Sequence, residues 1–313
     1  MPVTITAGIT FSGGGLTMAF APPSEATAGW YSGGIGSLTT VNRVTFATDT
    51  NTASIRGTLG ASFNAGAGAG NNTDGWFGGG DTYPNSRVQR ITYATDTATA
   101  STRGPLSAGR TYLAAAGNST DGWFGGGGPG NMSTVDRITY ATDTTTASLR
   151  GSLSVGSRFV AATGISTNGW FGGGYSPSSS SESTVQRITY ATDTATASIR
   201  GPLSLGARAL TASSDNTTYG WWAGGRSSPI FSTVQRITYA TDTATASIRG
   251  PLSSGKGYCA ATGDNNYGWF GAGYPGPLST VDRITYATDT ATASVRGPLS
   301  SAKYSLSGTS GIQ

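Results

Sequence analysis

Eighteen of the chain's 34 charged side chains fall into six sets of identical spacing. Each set is an arginine, an aspartate six residues on, and a second arginine seven beyond that: Arg43/Asp49/Arg56, Arg90/Asp96/Arg103, Arg137/Asp143/Arg150, Arg187/Asp193/Arg200, Arg236/Asp242/Arg249 and Arg283/Asp289/Arg296. Two chemistries suit such sets. Arginines repeated around a scaffold would hold phosphate or nucleic acid. An aspartate between two arginine-bearing strands would instead accept bidentate hydrogen bonds and tie a hairpin turn down. The acid is present in every set, the sets are nearly identical, and no stacking aromatic varies with them. The spacing therefore predicts structural ion sets and no nucleic-acid partner.

The remaining inventory removes most catalysis. The 313 residues include no His and one Cys, Cys259, so imidazole bases, Ser-His-Asp triads, Cys-cluster zinc and an intrachain disulfide are excluded. Glu25 and Glu182 are the only glutamates, and no carboxylate pair breaks the sixfold pattern in a way that suits acid–base work. The sequence predicts no catalytic residue, no metal and no cofactor. No apolar run approaches the roughly 20 residues of a membrane span, and no secretory signal is visible in MPVTITAGITFSGGG.

The elements that position these residues are repeats. The phrase around Arg90, VQRITYATDTATASTRGPLS, returns six times at intervals of 47, 47, 50, 49 and 47 residues. A GWFGGG-like phrase recurs with it, carrying Trp30, Trp76, Trp123, Trp170, Trp221 and Trp269. Thr, Tyr and Ile dominate between Gly and Asp punctuation, with no helical period, so each unit reads as strands. In the third copy they fall at about 112–116, 122–126, 134–141 and 146–150, with turns at 118–121 and at the TDT phrase. Six units of four strands describe an all-β, six-bladed β-propeller. Gly makes up 49 of the residues and charged residues only 11%, which suits strands and tight turns better than surface helices. The Trp residues and their neighbours Tyr31, Phe77, Phe124, Phe171, Trp222 and Phe270 are expected in the core, because both faces of a blade are covered; sugar stacking is the competing role.

A double Gly after an apolar strand, a Tyr on the next strand and then an acidic turn (Gly125-Gly126, Tyr140, Asp143) resemble Kelch repeats, with counterparts in every copy. The resemblance spans roughly residues 29–310 and implies the same propeller. Phe46 replaces Tyr in the first copy, and Gly271-Ala272-Gly273 interrupts the last glycine run. Kelch repeats also carry a Trp after the acidic turn, where this chain has Ala98, Thr145, Ala195, Ala244 or Ala291, so the GWF strand should supply that packing. Some Kelch propellers are copper oxidases, but their ligand set requires His.

Ring closure is legible too. The phrase SSAKYSLSGTSG at 300–311 aligns with SSGKGYCAATGD at 253–264, which predicts that the C-terminal strand completes the first blade, beside strands from 29–57. Residues 29–313 are then the propeller and 1–28 an attachment segment. Val3, Ile5, Ile9 and Phe11, with Gly13-Gly14-Gly15 and Pro22-Pro23 behind them, suit a strand and hinge that add to another subunit's sheet or pack on the chain's own propeller.

Variation marks the candidate binding surface. The loops between second and third strands differ in all copies: 35–40, 81–87, 128–134, 175–184, 226–233 and 274–280. They share a rim with the blade connections, which carry Arg110, Arg158, Arg208 and Lys256. Tyr83, Met132, Tyr175, Ile230, Phe231, Tyr274 and Leu278 are the apolar or aromatic ligand-binding candidates there.

The low-Lys, Gly/Ser/Thr/Ala-rich composition and the opening TITAGITFSGGGLTM resemble virion proteins of tailed bacteriophages, particularly those of marine and cyanobacterial hosts. The resemblance implies a non-enzymatic tail, fibre or capsid-associated protein, made in the host cytoplasm and extracellular after lysis. It would sit in a homo- or hetero-oligomeric assembly, bound to other virion proteins through residues 1–28 and facing a host-surface glycan or protein. An intracellular Kelch interaction module or a glycan-binding lectin is the alternative.

Overall fold

The computed structural model describes residues 8–12, 15–19, 26–36, 38–80 and 85–311. Residues 28–310 form six four-stranded antiparallel sheets, each a simple meander. The third copy supplies Ala114–Gly117, Asp121–Gly125, Val135–Thr139 and Ser148–Leu149. Its Trp123 faces Ala116 on one side and Arg137 on the other, and the same register recurs in the other blades. The first blade is completed by the C-terminal strand Ser307–Ser310, which pairs with Ala28–Ser32 and sets Thr309 opposite Trp30. This closure removes the two free edges a linear array would leave.

Two local readings shift. The third strand stops at Thr139, and the acidic turn is a 3-10 turn, Tyr140–Thr142, with Asp143 after it. Tyr140 leaves the strand because its ring is drawn into the blade interface, stacking at 3.8 Å on Trp76 of the preceding blade. The same stack joins Trp123 to Tyr190 and Trp221 to Tyr286, and Phe46 takes the place of Tyr against Trp269. Each such Trp is at most 5% exposed, so these rings are core and none is a sugar platform.

Close approach of the inner strands explains their small residues. A Cβ added at Gly308 would lie 2.1 Å from the Ala261 carbonyl of the neighbouring blade. Gly68, Ala115, Ala162, Ala212 and Ala261 hold the same register as Gly308, and the inner strands enclose a central cavity of about 210 Å³. Of the N-terminal segment, Gly8–Ser12 and Gly15–Ala19 form a hairpin, a two-stranded sheet separate from the blades. The rest of 1–25 lies outside the described residues, including Val3, Ile5 and the Pro22-Pro23 hinge.

Candidate ligand-binding mouth of the channel

The six ion sets assemble, but between blades rather than within a hairpin. Asp143 accepts a 2.8 Å hydrogen bond from Trp76 Nε1 and pairs with Arg90 at 3.1 Å and Arg103 at 3.4 Å, all three from the preceding blade. Its backbone carbonyl accepts from Gly104 N at 2.8 Å. Asp96 takes Trp30, Arg43 and Arg56 in the same way, and Asp193 takes Trp123, Arg137 and Arg150. Asp242 takes Trp170, Arg187 and Arg200, and Asp289 takes Trp221, Arg236 and Arg249. Asp49 takes Trp269, Arg283 and Arg296, which joins the last blade to the first. The 3-10 turn points each acid at the blade before it, whereas the arginines of the same copy lean on the blade after it. These aspartates are 5–7% exposed and each shares one carboxylate oxygen among a Trp and two arginines, so they form a structural belt.

Two of the connection cations also turn inward. Arg110 is fully buried and bonds to Asp136, to the Gly126 carbonyl at 2.9 Å and to the Thr134 carbonyl at 2.7 Å. Burial pulls its pKa down, and Asp136 opposes that pull. Lys256 pairs with Asp282 at 2.8 Å, both fully buried. The equivalent cation of the first blade, Lys303, is also fully buried, but Asn42 stands where the carboxylate would be. Asn42 Oδ1 already accepts from Ser300 N, and both Asn42 Nδ2 and Lys303 Nζ are without a hydrogen-bond partner. Desolvation pushes Lys303 down to about 8.

Above the inner strands lies a collar. Ala65, Tyr112, Phe159, Ala209, Tyr258 and Ser305 hold one equivalent position in six blades, each with φ between +55° and +59°. Each donates its N–H to the carbonyl of the equivalent residue one blade back: Tyr112 to Ala65, Phe159 to Tyr112, Ala209 to Phe159, Tyr258 to Ala209, Ser305 to Tyr258 and Ala65 to Ser305. These bonds of 2.6–2.9 Å form a closed ring around the axis. Left-handed backbone at six non-glycine residues is strained, and the ring bonds hold it in place.

Three collar side chains are aromatic and lean across the opening. The Tyr112 ring is 4.0 Å from Phe159 and 6.5 Å from Tyr258, a residue of the opposite side of the ring. Tyr304 lies 6.2 Å from Tyr258 and 5.9 Å from Tyr274. Tyr112, Phe159 and Tyr258 line a cavity of about 70 Å³ together with Leu113, Val160, Leu210, Cys259 and Leu306. Burial pushes the Cys259 thiol up to about 11, so it is no nucleophile at neutral pH.

Beside this cluster stand three arginines. The guanidinium of Arg158 lies 4.9 Å from the Tyr175 ring centroid and 5.4 Å from Phe159. Arg208 approaches the same Tyr175 at 5.9 Å, and Arg226 lies 5.4 Å from Tyr274, with Tyr258 close enough to push its pKa up. Among the described residues none of the three has a carboxylate partner, in contrast to the belt arginines and Arg110.

The loop candidates divide. Tyr175 and Tyr274 reach the mouth. Met132, Phe231 and Leu278 anchor their loops through the backbone, donating to Gly127, Gly225 and Gly273 and accepting from Ser157, Lys256 and Lys303. Phe231 packs beside Trp222, and Ile230 bridges to Arg226. Tyr83 lies outside the described residues. Loop variation did not reveal Tyr112, Phe159, Tyr258 and Tyr304. Their signal was the variation just ahead of each inner strand, in TYLAA, RFVAA, RALTA, GYCAA and KYSLS.

No family model and no curated protein matches the chain. Its fold is similar to a solved structure described as "Structure of YjhT", with a TM-score of 0.65 over 80% of this chain and 88% of that one, at 12% identity. The chain is a six-bladed β-propeller. At that identity the likeness concerns the fold alone, and the propeller's mouth must be read from its own residues. Among the described residues, no group of His, Cys, Asp and Glu is placed to hold a metal ion, and no helix is long and apolar enough to cross a membrane.

Proposed function

We propose that the propeller is a non-enzymatic recognition module of a tailed-phage particle, presenting its channel mouth to a saccharide on the host surface. Supporting this reading is a half-exposed place where near-identical blades diverge in chemistry: the aromatic and arginine-bearing mouth, set on a strained backbone collar. Partly exposed tyrosine faces stack on sugar rings, and a rigid scaffold spares the ordering cost of binding. The channel below is lined mostly by Gly, Ala, Ser and Thr, with no carboxylate, Lys or Arg among the described lining residues, which suits binding rather than turnover.

Residues 1–28 would attach the module to another virion protein. An isolated two-stranded hairpin is marginal in water, and pairing with a partner's sheet would stabilise it. Glycan-array binding by the full chain, compared with Tyr258→Ala and Tyr304→Ala, tests the mouth; unchanged binding rejects it. Mass spectrometry of purified particles tests the location, which falls if the chain is absent from them.

A further inference from the structure

Arg158 and Arg208 flank one ring, Tyr175, and Arg226 stands on the next tyrosine, Tyr274. Most of the other arginines are neutralised: twelve are paired in the belt and Arg110 is paired with Asp136. The only acid in the 175–184 loop, Glu182, is turned inward and bonds to Ser176 and Thr184 rather than to Arg158 or Arg208. Two like charges across one ring repel unless an anion lies between them. A guanidinium beside an aromatic face can still turn N–H donors toward the paired oxygens of a carboxylate or two oxygens of a sulfate.

All three arginines belong to the fourth and fifth blades. The equivalent positions around the rest of the mouth are Asn64, Thr111 and Gly257, with Tyr304 on the first blade. The mouth is thus divided into a cationic side and an aromatic, uncharged side. Resting on the saccharide reading above, we infer that its ligand is an acidic polysaccharide: a carboxylate or sulfate group seats between Arg158 and Arg208, a second anionic group meets Arg226, and the intervening sugar face lies on Tyr258 and Tyr304.

Calorimetric titration of the full chain with four probes tests this: neutral dextran, polygalacturonate, dextran sulfate and duplex DNA, each in 50 and 200 mM salt. Binding of polygalacturonate or dextran sulfate, weakened at least tenfold in Arg158→Gln/Arg208→Gln and unmatched by dextran or DNA, is the expected result. Which of the two acidic probes binds more tightly separates carboxylate from sulfate. Dextran binding that is lost in Tyr258→Ala but kept in the arginine variants would overturn the anion inference and leave the saccharide mouth standing. Equal binding of DNA would overturn it as plain polyanion attraction. Loss of no binding in either variant class would overturn both readings.

Discussion

The belt of aspartates and the mouth of the channel are built from the same six repeats, yet they treat charge in opposite ways. In the belt each carboxylate is buried and shared by a Trp Nε1 and two arginines of the neighbouring blade, while a glycine amide of that blade donates to the aspartate's backbone carbonyl. The geometry is so constrained that no copy departs from it. At the mouth the backbone is equally repetitive, with six left-handed residues in one hydrogen-bonded ring, but the side chains it presents range over Ala, Ser, Phe and Tyr. Burial explains the contrast. A buried ion left without its partner is costly wherever it occurs, so the interface tolerates little change, whereas a half-exposed side chain above a rigid ring can vary freely.

Breaking the ring should have the largest effect. Truncation after Pro298 removes the strand Ser307–Ser310 and leaves Ala28–Ser32 unpaired on one side; size-exclusion chromatography should then show aggregates or swapped oligomers in place of a monomeric ring. Next comes the belt. Asp143→Ala strands Arg90, Arg103 and the Trp76 N–H, and should lower unfolding free energy in urea by about 3–5 kcal/mol.

A gain of stability should come from the fully buried cation that lacks an acid. Asn42→Asp gives Lys303 the partner that Asp282 gives Lys256, worth about 1.5–3 kcal/mol near pH 7. The pH dependence fixes the sign. Lys303 titrates near 8 when folded, below its ordinary 10.5, so the unfolded chain binds more protons across that window. Wild-type stability should therefore carry the full burial cost of the charged amine below pH 8 and recover it as pH rises toward 10.5. The advantage of Asn42→Asp should shrink over pH 8–10, and a constant advantage would show that Lys303 is not the group responsible. Above pH 10 the buried tyrosines, including Tyr140 and Tyr190, act in the opposite direction, since their raised pKa keeps protons that the unfolded chain releases.

The smallest effect is expected at the mouth itself. Arg226→Gln should leave the unfolding free energy in urea within about 0.5 kcal/mol of wild type. A large loss there would mean that the mouth is as structural as the belt, and the contrast between the two regions would collapse.

The repeat made the architecture legible. Six copies of Trp, Arg, Asp and Arg, and a C-terminal phrase matching an inner strand, were enough to count blades and to pair the chain's ends. Partner choice was less accessible. The aspartate lies within the same 14-residue phrase as two arginines, yet it bonds to the pair 40–43 and 53–56 residues before it or, for Asp49, to the pair near the C-terminus, because the 3-10 turn aims it across the interface. The mouth was only half visible, since Tyr175 and Tyr274 lie in loops whose variation draws notice, while Tyr112, Phe159 and Tyr258 hide ahead of strands that read as framework.

By itself, then, the order of residues determined the number of sheets, the strands within them and the chemistry that is missing, since all of these depend on local period and composition. Only the closed ring decided which charges meet, which cation is left without an acid, and which side chains from opposite blades converge on the axis. Those are distances between segments far apart in the chain, and curvature sets them only once all six blades are in place.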